Sequence, residues 1–175
     1  MAPSPRPRFP DRDEYGVMTE ADSPAAPLDW AEVAVWLEGS RYYWIVTTRR
    51  DGRPHPRVVW GVWLAPRFYF ATSPETITGR NIARSGYASV HPEGASEVVV
   101  IEGVAGRAPK DSVGDAAAQY ERKYGWKMDV DDAGMPFYVL EIRTAVAWKA
   151  HDPRGSAMRW TFGDKESDKD RPRPG

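Results

Sequence analysis

Between Tyr43 and Glu93 three strand-like runs stand almost end to end, separated by only two short turn signals. Tyr43 to Thr48 is aromatic and β-branched, Asp51-Gly52 is a hairpin signal, and Arg57 to Leu64 forms a second run. Ala65-Pro66-Arg67 then turns into a third, Phe68 to Thr72. Connections this short join antiparallel neighbours, so this part of the chain must fold as a meandering sheet.

The second run carries a further constraint. Val58, Trp60, Val62 and Leu64 fall on one face, and Val59 and Trp63 flank Gly61 on the other, so both faces are apolar. A half-exposed sheet would alternate with polar residues. The outer face therefore needs a cover, either a second subunit or flat cofactor over Val59 and Trp63, or helices of the chain itself.

Two such helices are predicted. Asp29 and Glu32 have capping-box spacing, and Trp30, Val33 and Leu37 share one face before Gly39. Asp111 to Tyr124 contains Ala116-Ala117-Ala118 and an apolar face through Val113, Ala117, Tyr120 and Tyr124, closing at Gly125. Tyr87 to His91, Glu97 to Ala105, Phe137 to Trp148 and Met158 to Phe162 read as further strands. The expected fold is mainly β, an antiparallel closed or nearly closed barrel with short peripheral helices, which removes sheet edges.

Residues 1–27 and 163–175 are rich in Pro and charge without hydrophobic period, and are expected to be disordered or loosely attached tails around one domain at 28–162. The absence of cysteine excludes thiol chemistry and fits a cytoplasmic protein. A net charge of -1 supplies no global field for nucleic acid, and no segment has the roughly 20 apolar residues that span a bilayer. Neither nucleic acid nor membrane is an expected partner.

No nucleophile elbow, phosphate-binding loop, dinucleotide fingerprint or H-E-x-x-H occurs. His55, His91 and His151 lack ligand spacing, and Asp129, Asp131 and Asp132 lack the glycine and distal glutamate of a calcium loop, so no metal is expected. One segment does carry binding chemistry. Ser73 can cap a helix with Pro74 in its first turn, while Thr76, Thr78, Arg80 and Asn81 offer hydroxyl, guanidinium and amide donors to an anion such as phosphate.

In order along the chain come R-x-D-G-x-P-H, V-W-G-V-W, F-Y-F-A-T-S-P-E-T, G-R-N-I and V-V-V-I-E-G, followed by K-Y-G-W at 123–126 and M-R-W-T-F at 158–162. This set resembles the pyridoxamine 5′-phosphate oxidase-like split-barrel family, and within it the flavin/deazaflavin oxidoreductase branch. The resemblance implies a split β-barrel of six or seven strands, a homodimer, and a cofactor in a groove between subunits: FMN, the deazaflavin F420 or, in some branches, heme. It places Arg57, Val59, Trp60 and Gly61 beside the ring and ribityl chain, and Thr72, Ser73, Thr76, Thr78, Arg80 and Asn81 at the phosphate. Arg57 also falls where pyridoxamine-phosphate oxidases carry a phosphate-binding arginine. Arg159 and Trp160 would approach from a C-terminal strand, of this subunit or of its partner. One departure stands out: Ile77-Thr78 occupies the place where family members carry an Arg-Lys pair.

The implied activity is an oxidoreductase transferring a hydride to or from a small conjugated substrate, with F420 ahead of FMN and no residue assigned as catalytic. The alternative is a non-catalytic flavin, F420 or heme carrier or sensor on the same fold, favoured by Ile77-Thr78.

Overall fold

The computed structural model describes residues 6–8 and 27–163. After β1 (Arg6–Arg8) come α1 (Trp30–Gly39), β2 (Tyr42–Thr48), β3 (Pro54–Leu64), β4 (Arg67–Ala71) and α2 (Ile77–Ser85). β5 (Tyr87–Pro92), β6 (Glu97–Arg107), α3 (Gly114–Tyr124), β7 (Phe137–Lys149), the short α4 (Pro153–Ser156) and β8 (Met158–Thr161) complete it. The strands lie in the order β1-β8-β7-β4-β3-β2-β5-β6, and β6 pairs back onto β7. Six antiparallel strands thus close a barrel, with β8 and β1 added outside it on β7.

Length explains how one strand serves both parts. β7 has 13 residues: Phe137 to Glu141 pair with β4, Thr144 to Ala147 pair with β8, and β6 runs along the opposite edge. Where β6 and β7 meet, the register shifts between Glu102 and Gly103, a bulge that bends the strand and helps the sheet close.

Alternation along the strands fills the interior with Tyr43, Ile45, Phe68, Phe70, Ile101 and Leu140. α1 lays Val33 and Leu37 against this core, and its Trp30 ring packs 6.1 Å from Trp63 and 5.2 Å from Trp160. Asp29 does occupy the N-cap, but its side chain makes no cap hydrogen bond; burial of the apolar face, rather than a capping box, holds this helix. A second core forms outside the barrel, where Val113, Ala116 and Tyr120 beside and within α3 cover Val62, Tyr69 and Val139.

These two layers answer the question posed by β3, and they correct one expectation. Trp63 is buried inside the barrel beside Trp30 and Val59 packs against the same core, so their face is the inner one. The apolar side chains that β2 and β3 leave exposed are Trp44, Val58 and Trp60, at 39%, 51% and 40%. The structure also has β1, which the sequence placed in a loose tail. At Arg6–Arg8 the chain pairs with Arg159 to Thr161 of β8. The rest of both predicted tails, apart from Pro27 and Gly163, lies outside the described residues.

Candidate functional site

β4 pairs with β3 only from Gly61 to Leu64, so β3 from Arg57 to Trp60 has β2 on one side and no strand on the other among the described residues. The barrel is split there. A groove of about 1060 Å³ fills the gap, walled by Arg57 to Trp60 and, opposite, by the turn that leads from β4 into α2. An unpaired strand edge presents amide and carbonyl groups, and the side chains beside it are Val58, Val59 and Trp60. A flat, mostly apolar ligand with polar edges matches such a wall.

The opposite wall is polar. The helix cap is Thr76 rather than Ser73: Thr76 Oγ1 accepts from the Gly79 amide at 3.0 Å and bonds the Ser73 carbonyl at 2.8 Å. Ser73 instead accepts from the Glu75 amide at 3.2 Å, and Thr72 Oγ1 lies 3.1 Å from Thr76 Oγ1. Gly79 is required by this turn, since a Cβ there would stand 2.5 Å from the Ser73 carbonyl oxygen. Thr72, Ser73, Thr76, Thr78, Arg57 and Arg80 all line the groove, so it carries donors suited to an anion alongside the carboxylates of Glu75, Asp129 and Asp132.

Four sequence candidates sit elsewhere. Asn81 is buried behind the groove, its amide donating to Thr47 Oγ1 at 3.0 Å, so it ties α2 to β2. Trp160 is a core residue of its own chain, 2% exposed and packed on Trp30. Arg159, on the same strand, is buried and engaged within the chain. Gly61 does not line the groove either: on the side where the barrel splits, it is already paired with Phe70 of β4.

A residue that the sequence reading missed is Tyr124, at the last turn of α3. β2 pairs with β3 only as far as Trp60, and beyond it the Tyr124 hydroxyl takes the strand's place. It accepts from the Gly61 amide at 2.8 Å, and its one proton has the carbonyls of Arg41 at 2.6 Å and Gly61 at 2.8 Å as alternative acceptors. Its ring stacks on Trp60, centroids 4.7 Å apart and planes within 10°. Tyr124 thereby orients the indole that borders the groove. The K-Y-G-W motif carried the signal, but only the fold brings it to β3.

Lys123 stands beside it, donating to the Tyr43 hydroxyl at 2.8 Å and the Gly61 carbonyl at 3.2 Å. Burial, reinforced by Arg41 and opposed by Glu38 and Glu93, lowers its pKa to about 8. The unfolded chain keeps the ordinary lysine value of 10.5, so protonated lysine costs stability below about 8 and that cost vanishes as pH rises between the two. Tyr124 and Tyr120 are pushed up to about 12 by burial, so above their ordinary 10.0 they act in the opposite sense. The melting temperature is expected to rise from about pH 8 toward 10, and a pH series on Lys123→Met is expected to lose that rise. Equal slopes in the two proteins would discard this account.

His55 borders the groove with its pKa lowered by burial and by Arg49 and Arg57. Its Nδ1 lies 3.0 Å from Arg49 Nη2, and since arginine only donates, the imidazole accepts there and carries its proton on Nε2. The far lip, which the sequence did not suggest, is the segment after α3, with Trp126, Met128 and Met135 facing the groove. No helix among the described residues is long and apolar enough to cross a membrane.

Comparison with known proteins gives a consistent picture. No curated protein matches the sequence. Among solved structures, a conserved hypothetical protein of Mycobacterium tuberculosis superposes with a TM-score of 0.61 at 17% identity, over 70% of this chain and 86% of that one. A heme-binding protein of Mycobacterium smegmatis gives 0.59 at 20%, over 75% and 62%. An F420 reductase gives 0.53 at 18%, over 69% and 98%. Identities this low establish the shared fold alone. The sequence profile described as pyridoxamine 5′-phosphate oxidase matches residues 30–151, which hold all six strands of the closed barrel and both walls of the split, and the chain therefore belongs to that family.

Proposed function

We propose that this protein is an oxidoreductase that holds a flavin-type cofactor, F420 or FMN, in the groove and transfers a hydride to or from a small conjugated substrate. The observation that carries the reading is an open strand edge and a hydroxyl-rich turn lining one cavity. The donor set fits the group: hydroxyls of Thr72, Ser73 and Thr76 with Arg57 and Arg80 suit a phosphate, and Val58, Val59 and Trp60 suit a planar ring. When bound, such a cofactor supplies the hydride-exchanging atom. The chain's own residues bind and orient. Arg57 and Arg80 neutralise the phosphate, Tyr124 fixes Trp60, and Trp126, Met128 and Met135 keep water from the substrate side.

Titration of the purified protein with FMN, F420 and heme, followed by absorption spectroscopy, tests the reading. Binding of FMN or F420 with a spectral change on reduction is expected. Heme binding alone would overturn it in favour of a carrier, the second reading. Ile77 is the observation that favours that alternative, because it places an apolar side chain at the groove where an arginine would be expected from the family pattern.

The same reading includes a homodimer in which Trp44, Val58 and Trp60 of two copies meet. Trp44 and Val58 pair across β2 and β3, so they form one continuous apolar patch beside the groove. Light scattering is expected to give a dimer at micromolar concentration, and Val58→Arg is expected to give monomers. A wild-type monomer would refute the assembly without touching the cofactor assignment.

A further inference from the structure

A second cavity, of about 650 Å³, opens on the other side of Arg80. One wall is the turn joining β2 to β3, with Arg49, Arg50, Asp51 and Arg53; the other is the outer side of α2, with Arg80 and Arg84. The turn is closed by the Arg49 amide to the Arg53 carbonyl at 2.8 Å and the Gly52 amide to the Arg49 carbonyl at 3.0 Å, with Gly52 at φ 83°. Arg80 and Arg84 are four residues apart, hence on one face of the helix. The two walls are braced together, because Arg84 donates to the Thr48 carbonyl and Asn81 to Thr47.

Charge in this cleft is one-sided. Its single carboxylate, Asp51, is taken by Arg53, which reaches it with Nε at 2.9 Å and Nη2 at 2.8 Å. Among the described residues no carboxylate pairs with Arg49, Arg50, Arg80 or Arg84. Several guanidinium groups held together without counter-charge repel one another, and a multivalent anion relieves that repulsion. Two of them are also fixed in place, Arg49 by neutral His55 and Arg84 by Thr48, so little ordering is left for a ligand to impose. Guanidinium forks match phosphate and carboxylate oxygens in pairs.

We propose that this arginine cleft is a binding site for a ligand carrying two or more phosphate or carboxylate groups. It is separate from the anion end of the groove but continuous with it, since Ile77 and Arg80 border both. The ligand is either a free polyanion or the charged extension of a molecule seated in the groove.

Calorimetric titration with inorganic tripolyphosphate at low ionic strength tests this without reference to any cofactor. One site per chain is expected, with affinity falling as salt is added. The double variant Arg50→Gln, Arg84→Gln is expected to bind at least about tenfold more weakly, the ratio given by loss of one charge-assisted hydrogen bond. Because Arg84 also braces the turn, phenylglyoxal modification of the wild type provides a measurement independent of folding. Tripolyphosphate is expected to slow modification of Arg50 and Arg84, read by peptide mass. No binding at low salt, unchanged affinity in the folded variant, or unprotected arginines would each overturn the proposal. Repeating the titration with FMN present tests the separation: independent binding shows a site distinct from the phosphate end of the groove, and mutual exclusion shows that tripolyphosphate occupies the groove itself, which would overturn a separate cleft.

Discussion

Gly103→Ala is expected to destabilise the protein by about 1 to 3 kcal/mol, the usual cost of forcing extra atoms into a packed site, or to prevent folding altogether. A Cβ at Gly103 would lie 2.1 Å from the Glu141 carbonyl oxygen and 3.1 Å from the Ile142 Cα. Those atoms are backbone of β7, held by β6 on one edge and β4 on the other, so they cannot rotate aside. The contact sits at the seam that closes the barrel. Gly106, three residues on in the same strand, has nothing within 4 Å of the corresponding position. Gly106→Ala is therefore expected to be neutral or slightly stabilising. Urea denaturation of the two variants makes the comparison, and equal midpoints would show that the bulge can relax.

Loss of Arg57 and Arg80 together is expected to weaken FMN or F420 binding by about 3 to 6 kcal/mol, the sum of two hydrogen bonds to charged groups. Both arginines line the groove that Thr72, Ser73 and Thr76 also line, and both are exposed, so their removal leaves the core intact. The opposite experiment adds a cation. The resemblance noted in the sequence implies replacing both Ile77 and Thr78, but the structure separates them: Ile77 is half-buried at the groove, whereas Thr78 is 4% exposed. A lysine at Thr78 would have to place its ammonium in a packed site. Ile77→Arg alone is expected to tighten binding, with a gain that shrinks as salt screens the charge. Unchanged affinity in both experiments would mean that the phosphate is held elsewhere.

Local chemistry determined much of this protein. Asp51-Gly52 and the alternating residues of β2 to β4 specify the hairpins, because turn geometry and side-chain period act over a few residues. The hydroxyl and guanidinium donors of Thr72 to Arg80 were legible for the same reason, since they are contiguous in the chain and line one groove. The sequence could not decide which side of β3 faces the interior: both sides are apolar, and only the closure of β6 onto β7 turns Trp63 inward and leaves Trp60 outside. Tyr124 was out of reach for the same reason, being 63 residues from the Gly61 amide that it holds. Asn81 and Trp160 carry polar and aromatic groups that suit a ligand, yet long-range packing spends them on Thr47 and Trp30. The arginine cleft is tertiary too, since Arg49 to Arg53 and Arg80 to Arg84 meet only because Asn81 and Arg84 fasten α2 to the end of β2.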